Sequence, residues 1–401
     1  MLTYEQARTL LLDAVTPLDA ESVPLQHAAG RVLRESVTAR FDVPSFDAST
    51  MDGYAVAASD LQGAGPWRVA VSAESRAGRE AAALAPMSAC RIFTGAPMPA
   101  RADAVIPQED VGLDERGGAI VINKRPLARA CVRPRGNDMR EGAIAVQIGT
   151  RITPATLCAI AAADRGRVVV SRRPRVAIVC TGDELREAGD IGANSAQIPE
   201  AISAALAAMA SQAADIEHVA IVPDRADAIE QAIDAAMSRC DLTLTVGGVS
   251  VGDHDLVRPA LERLGIELDF WRVKMKPGKP IAYGTRRAAH LLGLPGNPAS
   301  ALVTFALFGM PLLRAMQGDR KPTAMAVRAR LSAAYKKSAR AEFIRVRLEE
   351  KDGELWAIPA ENQLSATTTS LASSDGLAKI EAGEGAVDKG ENVSVTRWDC
   401  V

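Results

Sequence analysis

Four acids, Glu184, Asp224, Asp253 and Asp255, stand at or just past the ends of apolar runs that read as strands. Two of them close the stretch GGVSVGDHD (247–255), in which Gly247, Gly248 and Gly252 let backbone amides approach a ligand and Ser250 adds a hydroxyl. Such a turn, opening a helix, suits a phosphate, yet carboxylates repel one. A magnesium ion removes the conflict, because this hard cation takes oxygen ligands and bridges carboxylate to phosphate. Lys276 and Lys279 in KPGKP add positive charge on a loop stiffened by proline. LPGNPAS (294–300) opens another helix, with Asn297 placed as its cap and Pro298 in its first turn. Together these residues describe metal-assisted handling of a phosphorylated ligand. Taken singly, each has a plainer role: GGVSVG and KPGKP as tight turns, Asp183 and Asp253 as helix caps.

The loops act together only if one scaffold brings them to one place. From 175 to 316 the chain alternates strand-like runs (RVAIVC, HVAIVP, DLTLTV, ELDFWRV, PIAYG, HLLGLPG) with helix-like ones (IPEAISAALAAMASQ, DRADAIEQAIDAAMSRC, ASALVTFALFGMPLLRAM). This alternation predicts a three-layer α/β domain with a mainly parallel sheet, whose ligands bind at the C-terminal edge of the strands. Residues 1–35 read as helical, with Ala7, Leu11 and Ala14 on one face. From about 38 to 150, short apolar runs punctuated by Gly and Pro predict a β-rich region. TPATLCAIAAADRG (153–166) predicts a helix capped by Thr153 with Pro154 in its first position. Beyond 320, TAMAVRARLSA, FIRVRLEE and ELWAIPA predict a small β module. FIRVRLEE has the pattern of an edge strand, which leaves Arg345 either a solvated charge or a ligand contact. SATTTSLASSDG, within 365–385, is either a loop or a binding segment. The resulting division is 1–40 with 140–172 as a helical linking region, 41–139 β-rich, 173–320 α/β, and 321–401 β.

Composition narrows the function classes. A chain of 401 residues exceeds what one hydrophobic core supports. Its formal charge of −2 gives no field directed at nucleic acid or an anionic membrane. No apolar stretch is expected to reach membrane-spanning length, and MLTYEQARTLLLDAV lacks a basic leader. The six cysteines form no CxxC and the four histidines have no metal-binding spacing, which disfavours a disulfide framework or a zinc site and fits a reducing cytoplasm.

CTGDEL (180–185), GGVSVGDHD, KMKPGKP and LPGNPAS, in this order, resemble the molybdopterin-binding domain of molybdenum cofactor biosynthesis proteins. Upstream, PSFDASTMDGYAV (44–56), IFTGAPMP (92–99) and VRPRGNDMREG (132–142) resemble the N-terminal regions of the molybdopterin molybdenumtransferases, the MoeA family. The resemblance implies an elongated four-region subunit, usually a homodimer, that takes adenylylated molybdopterin and molybdate. It implies cleavage of the adenylyl linkage with Mg2+, yielding molybdenum cofactor and AMP. It places Asp52, Thr94, Asp138, Glu184, Asp224 and Asp255 in catalysis, the last three of them at the metal. Substrate contacts fall on Arg133, Gly247, Gly248, Ser250, Gly252, Lys276, Lys279, Pro295, Pro298 and Ser300, with Arg345 in EFIRV and Ser365 in NQLSA at oxyanion-contacting positions. The molybdopterin adenylyltransferase and downstream cofactor-maturation proteins are the implied partners; nucleic acid and membrane are not. Arg272 departs from the pattern, standing where many relatives have lysine. Two other classes compete: an adenylyltransferase or related nucleotide hydrolase, which would not need the upstream motifs, and a non-catalytic scaffold, which would not need the acids.

Overall fold

The computed structural model describes residues 1–400 except 82, 115–116, 191–193 and 249–255. Helix Tyr4–Asp13 starts on a reciprocal cap: the Thr3 hydroxyl accepts from Gln6 N, and the Gln6 side chain accepts from Thr3 N. Its buried face, Tyr4, Ala7 and Leu11, joins the core of the α/β unit, with the Tyr4 ring edge-on to Phe308 and Phe343. The helical expectation for the rest of 1–35 is wrong, because Ala20–Pro24 is a strand paired antiparallel with Arg167–Ser171. Pro17 and Pro24 bracket that stretch, and proline has no N–H to continue a helix. Helix Pro154–Ala162 forms as expected on Thr153, whose hydroxyl accepts from Thr156 N.

Between 41 and 139, six strands make one sheet in the order Ala104–Pro107, Gly53–Val56, Ser88–Ile92, Trp67–Ser75, Ala119–Ile122, Val111–Leu113. Neighbouring residues alternate between two apolar clusters: Ala55, Cys90 and Val105 on one face, and Val56, Ala89 and Ile106 on the other.

The α/β unit has six strands: β1 (Arg175–Thr181), β2 (Asp215–Val222), β3 (Leu242–Val246), β4 (Glu267–Arg272), β5 (Pro280–Arg286) and β6 (Ala289–Leu294), ordered β2-β1-β3-β6-β5-β4. The first four in that order run parallel; β5 is antiparallel to β6 and β4. Helices Ser203–Ala210 and Pro298–Met316 cover one face, and Ala226–Arg239 with Val257–Arg263 the other, giving three layers. Register decides where the loops emerge. Thr181 is level with Val222, Cys180 with Val246, and Val246 with Leu294, so four strands end in line at one edge.

Helix Pro298–Met316 corrects an expectation: its 19 residues, with mean hydropathy 1.6, are long and apolar enough to cross a membrane. It is a core helix instead, 89% of its apolar window being buried. Pro311 cannot donate to the preceding turn, and the helix widens to a π turn over Phe305–Gly309.

Beyond 320 the strands close into a barrel. Ala341–Lys351 (β7) pairs antiparallel with Glu354–Pro359 on one side and with Gly376–Ile380 on the other. Asn392–Arg397 and Ala326–Leu331 complete the circuit. The edge-strand reading of FIRVRLEE is therefore wrong, since β7 has neighbours on both sides. Met275–Lys276 of the α/β unit pairs parallel with Ala341–Glu342, which fastens the KPGKP loop to the barrel.

Candidate functional site

The aligned strand ends open onto a cleft of about 360 Å³ lined by Thr181, Glu184, Glu200, Asp224, Gly247, Gly248 and the turn Pro295–Pro298. Glu184 and Asp224, both predicted, meet here. Ser250, Gly252, Asp253 and Asp255 lie outside the described residues. Asp183 is not a helix cap, because a strand, Leu185–Arg186, follows it. It instead ties two loops together: Asp183 N donates to Asp224 Oδ2 at 3.4 Å, and Asp224 N donates to Asp183 Oδ1 at 3.1 Å.

The glycines carry a packing demand the sequence did not reveal. Gly247 has φ +93°, and a Cβ there would stand 2.8 Å from the Thr181 carbonyl oxygen. At Gly248, φ is +61° and a Cβ would stand 2.3 Å from Val257 Cγ2. The loop crosses both neighbours too closely for any side chain. The Gly247 amide donates to Leu294 O at 3.1 Å, so it is occupied rather than offered to a ligand.

Sequence reasoning missed Glu200. Its buried carboxylate accepts from Ile202 N at 2.7 Å, from Ser203 N at 3.0 Å and from the Ser203 hydroxyl, holding the start of helix Ser203–Ala210. Burial, then the neighbouring Glu200 carboxylate, push the Cys180 thiol well above its ordinary pKa, so Cys180 is a packing residue. An acid shortly before a helix start was the available signal. Among the described residues no group of three acids, histidines or cysteines is placed to hold a metal. Glu184 and Asp224 still suit magnesium, which binds through one or two carboxylates and completes its shell with water and substrate phosphate.

A second pocket of about 540 Å³ shares Pro280, Pro295 and Asn297 with the first. Lys276, Lys279, Pro295, Ser300 and Ser365 are brought together here as predicted, with Glu361, Asn362, Gln363 and Leu364 alongside. Pro298 lines the acid cleft instead. The lysines differ. Lys276 Nζ lies 3.2 Å from Glu342 Oε2, a carboxylate whose side chain is only 5% exposed and which also accepts from Tyr335 OH at 3.2 Å. Lys279 forms no ion pair among the described residues. Arg345 does not line the pocket; it is buried in β7 beneath it. Arg340, absent from the predicted set, lines it. Its position just before β7 has no local signature; only the pairing of Met275–Lys276 with β7 carries it to KPGKP.

The upstream motifs meet at another corner. Asp52 Oδ1 accepts from Thr94 N at 2.7 Å and from Thr94 Oγ1 at 2.8 Å, and these bonds hold the Asp52 carboxyl below its usual pKa. Gly95 N donates to Ser49 O and Thr50 N to Cys131 O, while Arg133 stands opposite Ala48. Arg133 Nη2 is 4.0 Å from Asp138 Oδ2, a loose pair with both side chains about half exposed. Arg135 is committed to Asp42, its Nε donating to Oδ2 at 2.6 Å, which leaves Arg133 as the more available arginine of VRPRG. No described residue of 41–139 lines either pocket.

Family models match almost end to end. The MoeA N-terminal region (domain I and II) covers 2–163, a probable molybdopterin binding domain covers 177–315, and the MoeA C-terminal region (domain IV) covers 328–398. Fold and site thus define a molybdenum cofactor biosynthesis protein built around a molybdopterin-binding α/β domain. The chain is 38% identical over 324 residues to the molybdopterin molybdenumtransferase of Haemophilus influenzae, covering 80% of this chain and 79% of that protein. It is 31% identical over 385 residues to that of Bacillus subtilis, covering 94% and 89%. The crystal structure of the molybdopterin biosynthesis moeA protein from Pyrococcus horikoshii OT3 superposes with TM-score 0.85 at 28% identity, covering 99% of this chain and all of that one. The chain belongs to the MoeA family of molybdopterin molybdenumtransferases and is a transferase.

Proposed function

We propose that this chain transfers molybdenum from molybdate into adenylylated molybdopterin in a magnesium-dependent reaction that releases AMP and molybdenum cofactor. The observation that carries this reading is the shared wall: an acid-lined cleft and a cation-lined pocket have Pro280, Pro295 and Asn297 in common. One ligand with a phosphate linkage and a second that is a tetrahedral oxyanion fit the two halves. Glu184 and Asp224, with Asp255, would hold a magnesium ion, which when bound would neutralise phosphate charge and polarise the linkage to phosphorus. The substrate phosphate is assigned to Gly248, Ser250 and Gly252, with Gly247 turning the loop, while Pro295 and Pro298 shape the wall of the cleft. Lys279, Arg340, Ser300 and Ser365 face the oxyanion, and Lys276 anchors the loop that carries Lys279.

Asp52, Thr94, Arg133 and Asp138 complete the site of a second copy in a homodimer, a reading supported by the described residues of 41–139 lining neither pocket of their own chain. In the cytoplasm the substrate would come from a molybdopterin adenylyltransferase, and the product would pass to cofactor-maturation proteins. Incubating the purified chain with adenylylated molybdopterin and molybdate, with and without magnesium, tests the reaction. AMP is expected only when all three are present; no AMP under any of these conditions rejects it.

A further inference from the structure

The bonds between Asp52 and Thr94 lie at the protein surface, joining the turn before strand Gly53–Val56 to the loop after strand Ser88–Ile92. A side-chain pair placed on two loops keeps one geometry only if the main chain on each side of it is fixed. Gly53 supplies one constraint. A Cβ there would stand 2.0 Å from Ile106 O, so the turn lies directly on the neighbouring strand. Gln108 supplies a second, its N donating to Asp52 O at 3.0 Å.

Arg91 supplies a third and ties it to the other two. It stands opposite Tyr54 in the ladder and, two residues before Phe93, shares its face of the sheet. Its guanidinium carbon lies 5.1 Å from the Tyr54 ring centroid and 4.9 Å from that of Phe93. Nη1 donates to Gly53 O at 3.1 Å, and Nη2 donates to Gln108 Oε1 at 2.7 Å. The carbonyls of Asp52 and Gly53 are thus held by Gln108 and by Arg91, which also hold each other. Tyr54 follows Gly53 and Phe93 precedes Thr94, so a single side chain bears on both halves of the pair.

We infer that Arg91 is a positioning residue for the Asp52–Thr94 pair: its planar fork clamps the Asp52–Gly53 turn to Gln108, and it acts on the reaction through that turn rather than by touching substrate. The inference rests on the assignment of Asp52 and Thr94 to catalysis. Lysine at 91 would keep the charge beside the two rings but, as a point charge, could not serve Gly53 O and Gln108 Oε1 as a fork does.

Kinetics of AMP release from adenylylated molybdopterin, with molybdate and magnesium, separate this role from a direct anion contact. Arg91→Lys should lower kcat about tenfold and leave KM within about twofold of wild type, because the charge stays and the geometry is lost. Gln108→Ala removes the acceptor of Nη2 without touching any charge, and should lower kcat about threefold. The double variant should lose about tenfold rather than about thirtyfold, since both changes open the same clasp. Wild-type kcat in folded Arg91→Lys, a loss confined to KM, or losses that multiply in the double variant overturns the inference, whatever happens to the melting temperature. If Arg91→Lys does not fold, Gln108→Ala decides alone, and a wild-type kcat there overturns it. Absence of AMP release by the wild type, or full activity of Asp52→Ala, would instead reject the reading of the site, and this inference with it.

Discussion

The two lysines of KPGKP look equivalent in sequence and should not behave alike. Lys276→Met removes the partner of a nearly buried carboxylate, leaving Glu342 with the Tyr335 hydroxyl among its described contacts. Unpairing a fully buried charge costs about 3–5 kcal/mol. Lys276 is 47% exposed, so water already screens much of the pair and roughly 1–2 kcal/mol is the fitting scale. That loss should appear as a lower urea midpoint, with binding weakened too because Lys276–Glu342 fastens the loop to the barrel. Lys279→Met disturbs no ion pair among the described residues, and its midpoint should match wild type. It removes an exposed positive charge facing a dianion, worth about 1.4 kcal/mol, or a tenfold weaker Kd for molybdate at low salt. The difference from wild type should shrink towards 0.5 M salt, where screening shortens the reach of an exposed charge to about 4–5 Å. Urea titrations and calorimetry on both variants settle the matter. If Lys279→Met destabilises as much as Lys276→Met, or leaves the Kd unchanged, the division of roles is wrong.

Other consequences can be checked separately. Glu184→Ala and Asp224→Ala should each abolish magnesium-dependent AMP release while leaving far-UV dichroism intact; substantial turnover at saturating magnesium would remove them from the metal site. Burial pushes Asp241 up, but its bonds from Arg172 and the Arg175 amide outweigh burial and hold its pKa below the ordinary value. Its stabilisation is therefore present above about pH 4 and lost as pH falls through the depressed folded value. Asp241→Asn should be less stable than wild type at pH 7 and show a smaller stability loss between pH 4 and pH 2; an unchanged acid limb would refute this. Mixing inactive Asp52→Ala and Glu184→Ala chains should restore roughly a quarter of sites, since random exchange makes about half the dimers mixed and each then has one intact site. No recovery after confirmed exchange would reject a site shared between chains.

Much of the α/β unit is legible because its signals are local. Val176 to Thr181 are all buried, so β1 reads as an unbroken apolar run, and the helices between strands keep their own period. Thr3 and Thr153 announce their helices within three residues. Glu184 and Asp224 were found by the same logic, as acids at strand ends that parallel register must bring level. Local pattern fails where closure is long-range. FIRVRLEE alternates like an edge strand, and only its pairing with Gly376–Ile380, some thirty residues on, buries Arg345. Arg340 is likewise unmarked, because its neighbourhood depends on a parallel pairing between chain segments about 65 residues apart. Gly247 and Gly248 carry a further cause that no short stretch displays: Thr181 and Val257 leave no room for a Cβ.

The site follows the same division. Its acids depend on the ends of one sheet, which strand alternation specifies, whereas its cations depend on docking a barrel against that sheet, which no short stretch specifies. The Met275–Lys276 pairing therefore bears on function as well as fold. It presents KPGKP and Arg340 to one pocket, and the Ser365–Ala299 bond presents the opposite wall from the same barrel. A change that loosens the barrel should weaken oxyanion binding before it affects the acid cleft, since Glu184 and Asp224 are held by strands and by Asp183, none of which belongs to the barrel.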